Sequence, residues 1–98
     1  MNVVRKISIA GELTIFAARS LQEQLLAAIE EGKEIEVDLS KVAEMDSAGL
    51  QLMVAAKREA IAREKVLRFT GHSPTVVDTL DLCDLSGFFG DPVLIPRT

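Results

Sequence analysis

The sequence predicts an α/β fold: a mixed, mostly parallel sheet of about four strands covered by helices, in the order β-α-β-α-β-α-β. Three observations predict it. Runs of period-2 hydrophobicity rich in β-branched residues alternate with runs whose apolar residues recur every three or four positions. Gly, Ser and Pro fall at the junctions between them. Strands that alternate with helices pair in parallel through right-handed crossovers, so the helices are left to cover the sheet. Ninety-eight residues suit one domain spanning 1–98, long enough to bury a core without disulfides or metal and too short for two cores.

The elements follow in order. Over 3–11, Val3, Arg5, Ile7 and Ile9 alternate with Val4, Lys6 and Ser8, and Gly11 stops the strand. From Phe16 to Glu31, Ala18, Leu21, Leu25, Ala28 and Ile29 share one helical face while Arg19, Gln22, Glu23 and Glu30 take the other. Gly32 ends that helix. In EIEVDL, Ile35, Val37 and Leu39 alternate with Glu34, Glu36 and Asp38, a second strand, and SKVAEMDSAG reads as its turn. Helical spacing resumes from about Ala48 to Arg63, with Leu52, Met53, Ala56 and Ala60 inward and Gln51, Arg58 and Glu59 outward. VLRFT is the third strand. After Gly71, Ser73 is a good N-cap and Pro74 fits the first turn of a third helix, where no amide hydrogen bond is lost. Gly87 ends that helix or its following turn, and PVLIP, fenced by Pro92 and Pro96, is a short last strand.

Composition excludes several function classes. A net charge of −4, no Trp or Tyr, and no dense Lys/Arg stripe argue against nucleic acid as the main partner. Hydrophobic residues make up 48 %, yet no apolar run approaches the roughly 20 residues of a membrane-spanning helix. Membrane insertion is not expected. The N-terminus alternates and then turns acidic, unlike a secretory signal, so a cytoplasmic protein is expected. The lone Cys83 belongs to no CxxC or Cys/His spacing and reads as a core thiol, so neither a metal nor a cofactor is expected.

The densest cluster of candidate chemistry is DSAGL, residues 46–50. Asp46 or Ser47 would cap the second helix by accepting hydrogen bonds from its free amides. Capping needs one such residue, however, and here an acid and a hydroxyl stand together beside Ala48 and Gly49, whose small side chains leave the Ser47 hydroxyl approachable. Such a site suits phosphorylation: a phosphate adds about −1.5 to −2 charges next to Asp46 and near Glu44, at a helix end that tolerates an anion. A hydrolase would need a base. The lone His72, in GHSP, stands at another helix start, and neither GxSxG nor an oxyanion-forming glycine run accompanies Ser47. Asp38, at the end of the second strand, would be a phosphate acceptor only with an acidic pair for magnesium near the first strand, where only Glu12 occurs. The chain is not expected to be an enzyme.

The run DLSKVAEMDSAGLQLMVAAK resembles the signature loop of STAS domains, the module of anti-sigma factor antagonists and sulfate-transporter tails, in which a strand ending D-L-S precedes a D-S-x-G-L turn and a helix. GELTIFAA is similar to the family's G-E-L segment before the first helix, and GHSPTVVDTLDLCDLSGFF to its last helix and G-L-F-type tail. The resemblance spans nearly the whole chain. It implies a phosphoprotein of transcription regulation that binds an anti-sigma factor, often a serine kinase, while the serine after the aspartate is unphosphorylated; the kinase modifies that serine and a phosphatase restores it. Ser47 matches the acceptor and Asp46 its neighbouring acid. Ala48 replaces the frequent second Ser, and Asp84 stands where a Gly is usual near the third helix's end. Other single-domain members are small subunits of lipid-transport ATPase complexes or chemotaxis-linked adaptors, and DSAGL does not separate these roles.

A phosphate at Ser47 opposes binding only if the contact includes it, because exposed charges beyond roughly 8–10 Å are largely screened. The expected partner-binding residues are therefore Met45, Asp46, Ser47, Ala48, Gly49, Leu50 and Gln51. Val54, Ala55 and Arg58 extend them along the outer stripe of the second helix, and Arg19, Glu23 and Glu30 on the first helix are expected bystanders.

Overall fold

The computed structural model describes residues 4–82. Their element order is β1 Val4–Leu13, α1 Ile15–Glu31, β2 Glu34–Met45, α2 Ser47–Ala62, β3 Val66–Thr70 and α3 Pro74–Leu82. The strands form one sheet in the order β1-β2-β3, and both pairings are parallel. This is the expected α/β alternation, with three strands where about four were expected. The strand expected over 92–96 lies outside the described residues, as do Cys83, Asp84 and Gly87.

Alternation assigns the faces of the sheet. Ile35, Val37 and Leu39 of β2, with Leu67 and Phe69 of β3, are buried and meet Leu25, Ala28 and Ile29 of α1, Met53, Ala56 and Ala60 of α2, and Val76 and Leu80 of α3 in one cluster. The β2 residues between them, Glu34, Glu36 and Asp38, pair in register with Val4, Lys6 and Ser8 on one side and Val66, Arg68 and Thr70 on the other. That face is polar and partly solvated, and Arg68 ties it together by pairing with Glu34 at 2.7 Å and Glu36 at 3.7 Å. A parallel sheet is usually covered on both faces, and its strands then read as continuous apolar runs; the clean alternation here goes with a face that no helix among the described residues covers.

Two strands run further than the sequence indicated. β1 passes through Gly11, whose φ of +86° is the left-handed conformation that glycine tolerates best, and ends at Leu13. β2 continues through the segment expected as a turn. The register against β1 shifts between Ser8 and Ala10 and again between Gly11 and Glu12, each shift placing an extra β2 residue opposite β1. An extra residue reverses the alternation. Leu39 and Val42 are therefore both buried although three positions apart, while Ser40 and Lys41 are exposed. The broken period hid the strand. At the first irregularity the Asp38 carboxylate accepts from the Ser40 N–H at 3.0 Å and from the Ser40 hydroxyl at 3.1 Å, which holds its pKa below the usual range.

α1 ends at Gly32 as expected, and the Gly32 N–H donates to the Ala28 carbonyl at 2.9 Å. Gly32 itself is extended (φ −109°, ψ 166°). The terminal carbonyls of Ile29 and Glu30 accept in addition from the Lys65 ammonium, which reaches across from the α2–β3 turn. A cation there complements the negative end of the helix.

Candidate functional site

The carboxyl ends of β1 and β2 deliver the chain to the starts of α1 and α2, and these two starts meet. Thr14 caps α1: its Oγ1 accepts from the Phe16 N–H at 3.3 Å and donates to a Glu12 carboxylate oxygen. Because Thr14 serves as the cap, α1 begins at Ile15, one residue before the expected Phe16. Asp46 caps α2, with Oδ1 accepting from the Gly49 N–H at 3.0 Å. Its other oxygen, Oδ2, accepts from the N–H of Ile15 at 3.0 Å. One carboxylate therefore satisfies free amides at both helix starts, a natural place for an anion because the positive ends of both helices point at it. These donors, Gly49 before Ile15, hold the Asp46 pKa below the usual carboxylate range.

This geometry decides between the two candidate caps. Asp46 does the capping. Ser47, the first residue of α2, is exposed, and its side chain makes no hydrogen bond among the described residues. Ser47 stands exposed in the first turn of α2, outside the cap.

Gly49 has a different role from the one its size implied. It is buried, and a Cβ built on it would lie 1.9 Å from the Leu13 carbonyl oxygen, far inside any tolerable contact. Glycine is required there so that the first turn of α2 can press against the end of β1; it does not clear a path to Ser47. Leu50 is also buried, in the core. Those two of the expected contact residues support the loop from beneath. Asp46 and Ala48 are half-buried, Gln51, Ala55 and Arg58 are exposed, and Met45 and Val54 are partly buried against the core. Val54 therefore leaves the outer stripe assigned to it.

Two residues at the site escaped the sequence reading. Ile15 is 65 % exposed and Phe16 is 91 % exposed, directly beside the Asp46 clamp. A signal existed for Phe16: it is out of phase with Ala18, Leu21 and Leu25, so it shares a face with Arg19 and Glu23, where a large aromatic is out of place. Nor are Arg19 and Glu23 remote from the site. With Ile15 and Ala18 they form one wall of a groove whose other wall includes Ala48, Gln51 and Ala55 of α2.

Known proteins share this architecture. The family described as "Mlab, STAS domain" matches residues 2–96. The anti-sigma-B factor antagonist of Bacillus subtilis (strain 168) is 28 % identical over 80 residues, covering 82 % of this chain and 73 % of that protein. The anti-sigma-B factor antagonist of Staphylococcus epidermidis is 30 % identical over 81 residues, covering 82 % of this chain and 75 % of that protein. Among solved structures, the anti-sigma factor antagonist SpoIIAA in its unphosphorylated form superposes with a TM-score of 0.73 at 23 % identity, over all of this chain and 83 % of the other. A sulfate transporter family protein from Wolinella succinogenes superposes with a TM-score of 0.75 at 20 % identity, over 93 % of this chain and 75 % of the other. Two parallel strands leading into two helix starts that share one aspartate, with an exposed serine following it, thus come with a family match along nearly the full sequence, and the chain belongs to the STAS domain family.

Proposed function

We propose that this protein is a phosphorylation-switched antagonist of an anti-sigma factor: a cytoplasmic interaction module of transcription regulation, without catalysis of its own. With Ser47 unmodified it binds an anti-sigma factor that is also a serine kinase; phosphorylation of Ser47 ends the complex, and a phosphatase restores it. The observation that carries this reading is the division of labour at the start of α2, where Asp46 caps the helix and leaves the Ser47 hydroxyl exposed. The anti-sigma-B factor antagonist relatives support the choice of partner, and one solved structure of similar fold is that of SpoIIAA in its phosphorylated form.

The switch follows from charge and desolvation. A phosphate on Ser47 adds about −1.5 to −2 charges beside Asp46, which is already ionised through its two amide donors. Free in water at the start of α2, that dianion is tolerated by the helix. Covered by a partner, it would have to shed water next to a carboxylate that already occupies the nearest amides, so the partner is excluded while the fold persists.

The competing reading is a constitutive subunit of a lipid-transport ATPase complex, or a chemotaxis-linked adaptor, in which Ser47 merely caps its helix. The Asp46 carboxylate holds the cap position in place of Ser47, which supports the switched reading. Incubation with the serine-kinase anti-sigma factors of the cell that makes the protein, with ATP, followed by mass mapping, tests the proposal. One phosphate on Ser47, abolished by Ser47→Ala, is expected; no incorporation at Ser47 with any of these kinases would overturn it.

A further inference from the structure

Ser47 directly precedes Ala48, which lines a groove that runs between α1 and α2. Its lining is mixed: Ile15 and Ala18 on one side and Ala48, Leu52 and Ala55 on the other are apolar, and Arg19, Gln22, Glu23 and Gln51 are polar. It continues past Gln22 to Leu26. Phe16, next in sequence to Ile15 of that lining, is 91 % exposed on the helix face it shares with Arg19, Ser20 and Glu23. Large apolar side chains left this open beside a partly apolar groove mark a docking surface more often than a scattered surface residue does. The Asp46 clamp adds a physical link, because its Oδ2 holds the Ile15 N–H at 3.0 Å and so fixes the Ile15–Phe16 edge relative to Ser47.

The charges around this surface select its occupant. Glu12, Glu44 and Asp46 cluster at the end of β1 and β2, where Lys41, in register with Ala10, is the neighbouring cation, and Glu23 and Arg19 stand together on the groove wall. Glu59, farther along, is already paired with Arg63 at 2.7 Å. The end next to Ser47 is thus net acidic. A second copy of the chain laid on this face would bring a like-signed surface against it, and an anionic membrane would be repelled in the same way. A protein segment with an apolar anchor flanked by basic side chains is complementary to both the groove and its charge.

We propose that the α1–α2 groove and its Ile15–Phe16 edge receive such a basic-flanked apolar segment of the partner that reads Ser47, an inference that rests on the function proposed above. Phe16 is then an anchor of the interface, and Arg19 and Glu23 stand at its border rather than outside it.

The probes are the purified serine-kinase anti-sigma factors of the same cell, titrated against the full chain by calorimetry. Phe16→Ser and Ala55→Glu are each expected to weaken binding about tenfold or more, with Phe16→Leu restoring most of the loss. Ile61→Ser removes another exposed large apolar side chain, near the far end of α2, and binding is expected to stay within about twofold of wild type, as for a surface residue outside the contact. Rising salt is expected to weaken the wild-type complex. Thermal melts of every variant separate loss of binding from loss of fold. If a kinase binds and responds to Ser47→Asp but ignores Phe16→Ser and Ala55→Glu, the proposed function stands and the groove is overturned. Binding that depends on Phe16 but ignores Ser47→Asp keeps the groove and removes the switch. If none of the kinases binds the wild-type chain, the functional reading falls and the inference falls with it. Phe16-dependent self-association of the wild-type chain in sedimentation would make a second copy the occupant and overturn the choice of partner.

Discussion

The starts of α2 and α3 use similar residues to opposite ends. At α3, Ser73 is 5 % exposed and its hydroxyl accepts from the Val76 N–H at 3.2 Å, with Pro74 opening the helix behind it. At α2 an acid takes the cap position, and the serine comes one residue later, outside the cap and open to solvent. The residue that caps is held by the fold; the residue displaced by one position is not. A serine beside a helix start thus reads as structural or as available according to whether another group already satisfies the free amides.

Disrupting the packing beneath the α2 start should have the largest effect. Gly49→Ala drives a methyl into the Leu13 carbonyl, and overpacking against backbone is expected to destabilise the protein by about 3 kcal/mol or more. Denaturant melts would read this directly. Chemical shifts at Ile15 should move with it if the Asp46 bridge depends on that packing.

Removing the cap at α2 comes next. Asp46→Ala leaves amides on two helices without their partner, so its melting temperature should fall further than that of any serine variant discussed here. Acid should erase the difference. The folded Asp46 pKa lies below its unfolded value, so its stabilisation is complete above the unfolded pKa of about 3.9 and disappears as pH falls through the folded value. The gap between wild type and Asp46→Ala in melts should therefore be widest near neutrality and close on acidification; a gap that widened in acid would contradict the bridge.

Ser73→Ala sharpens the contrast from the other side, with an expected loss of about 1 kcal/mol for a buried cap. Ser47→Ala should be the mildest of the series, within about 0.5 kcal/mol of wild type, as for an exposed side chain without partners. Urea titrations of these two serine variants should therefore separate clearly. Equal losses would mean that Ser47 also caps.

The contrast was partly legible in the sequence. Period-2 and helical spacing located β1, β3 and the buried faces of α1 and α2, and Ser73-Pro74 located the start of α3, because each depends on residues close in the chain. The second half of β2 was not legible: its extra residues between Asp38 and Lys41 and again before Glu44 break the alternation, and only pairing with β1 shows that Val42 returns to the core. At the site, DSAGL marked the place, but Asp46 and Ser47 are equally plausible caps in one dimension. The bond from Asp46 to Ile15 spans 31 positions, and the collision that makes Gly49 necessary involves Leu13. Both are consequences of the parallel β1–β2 pair, which sets two helix starts side by side. Phe16 was legible as a misfit on a polar face, whereas the groove beside it exists only once α1 and α2 are packed together.

The central claim is that Ser47 reports to a partner and not to the fold. Its most direct test is the affinity of the serine-kinase anti-sigma factor for the protein phosphorylated at Ser47, measured beside Ser47→Ala and unmodified protein, with melts of all three. Unmodified protein and Ser47→Ala should bind alike, the phosphorylated form at least about a hundredfold more weakly, a difference of about 2.7 kcal/mol, while all three melt within a few degrees of one another. Undiminished binding by the phosphorylated form, or a loss of binding that merely follows a loss of stability, would contradict the account.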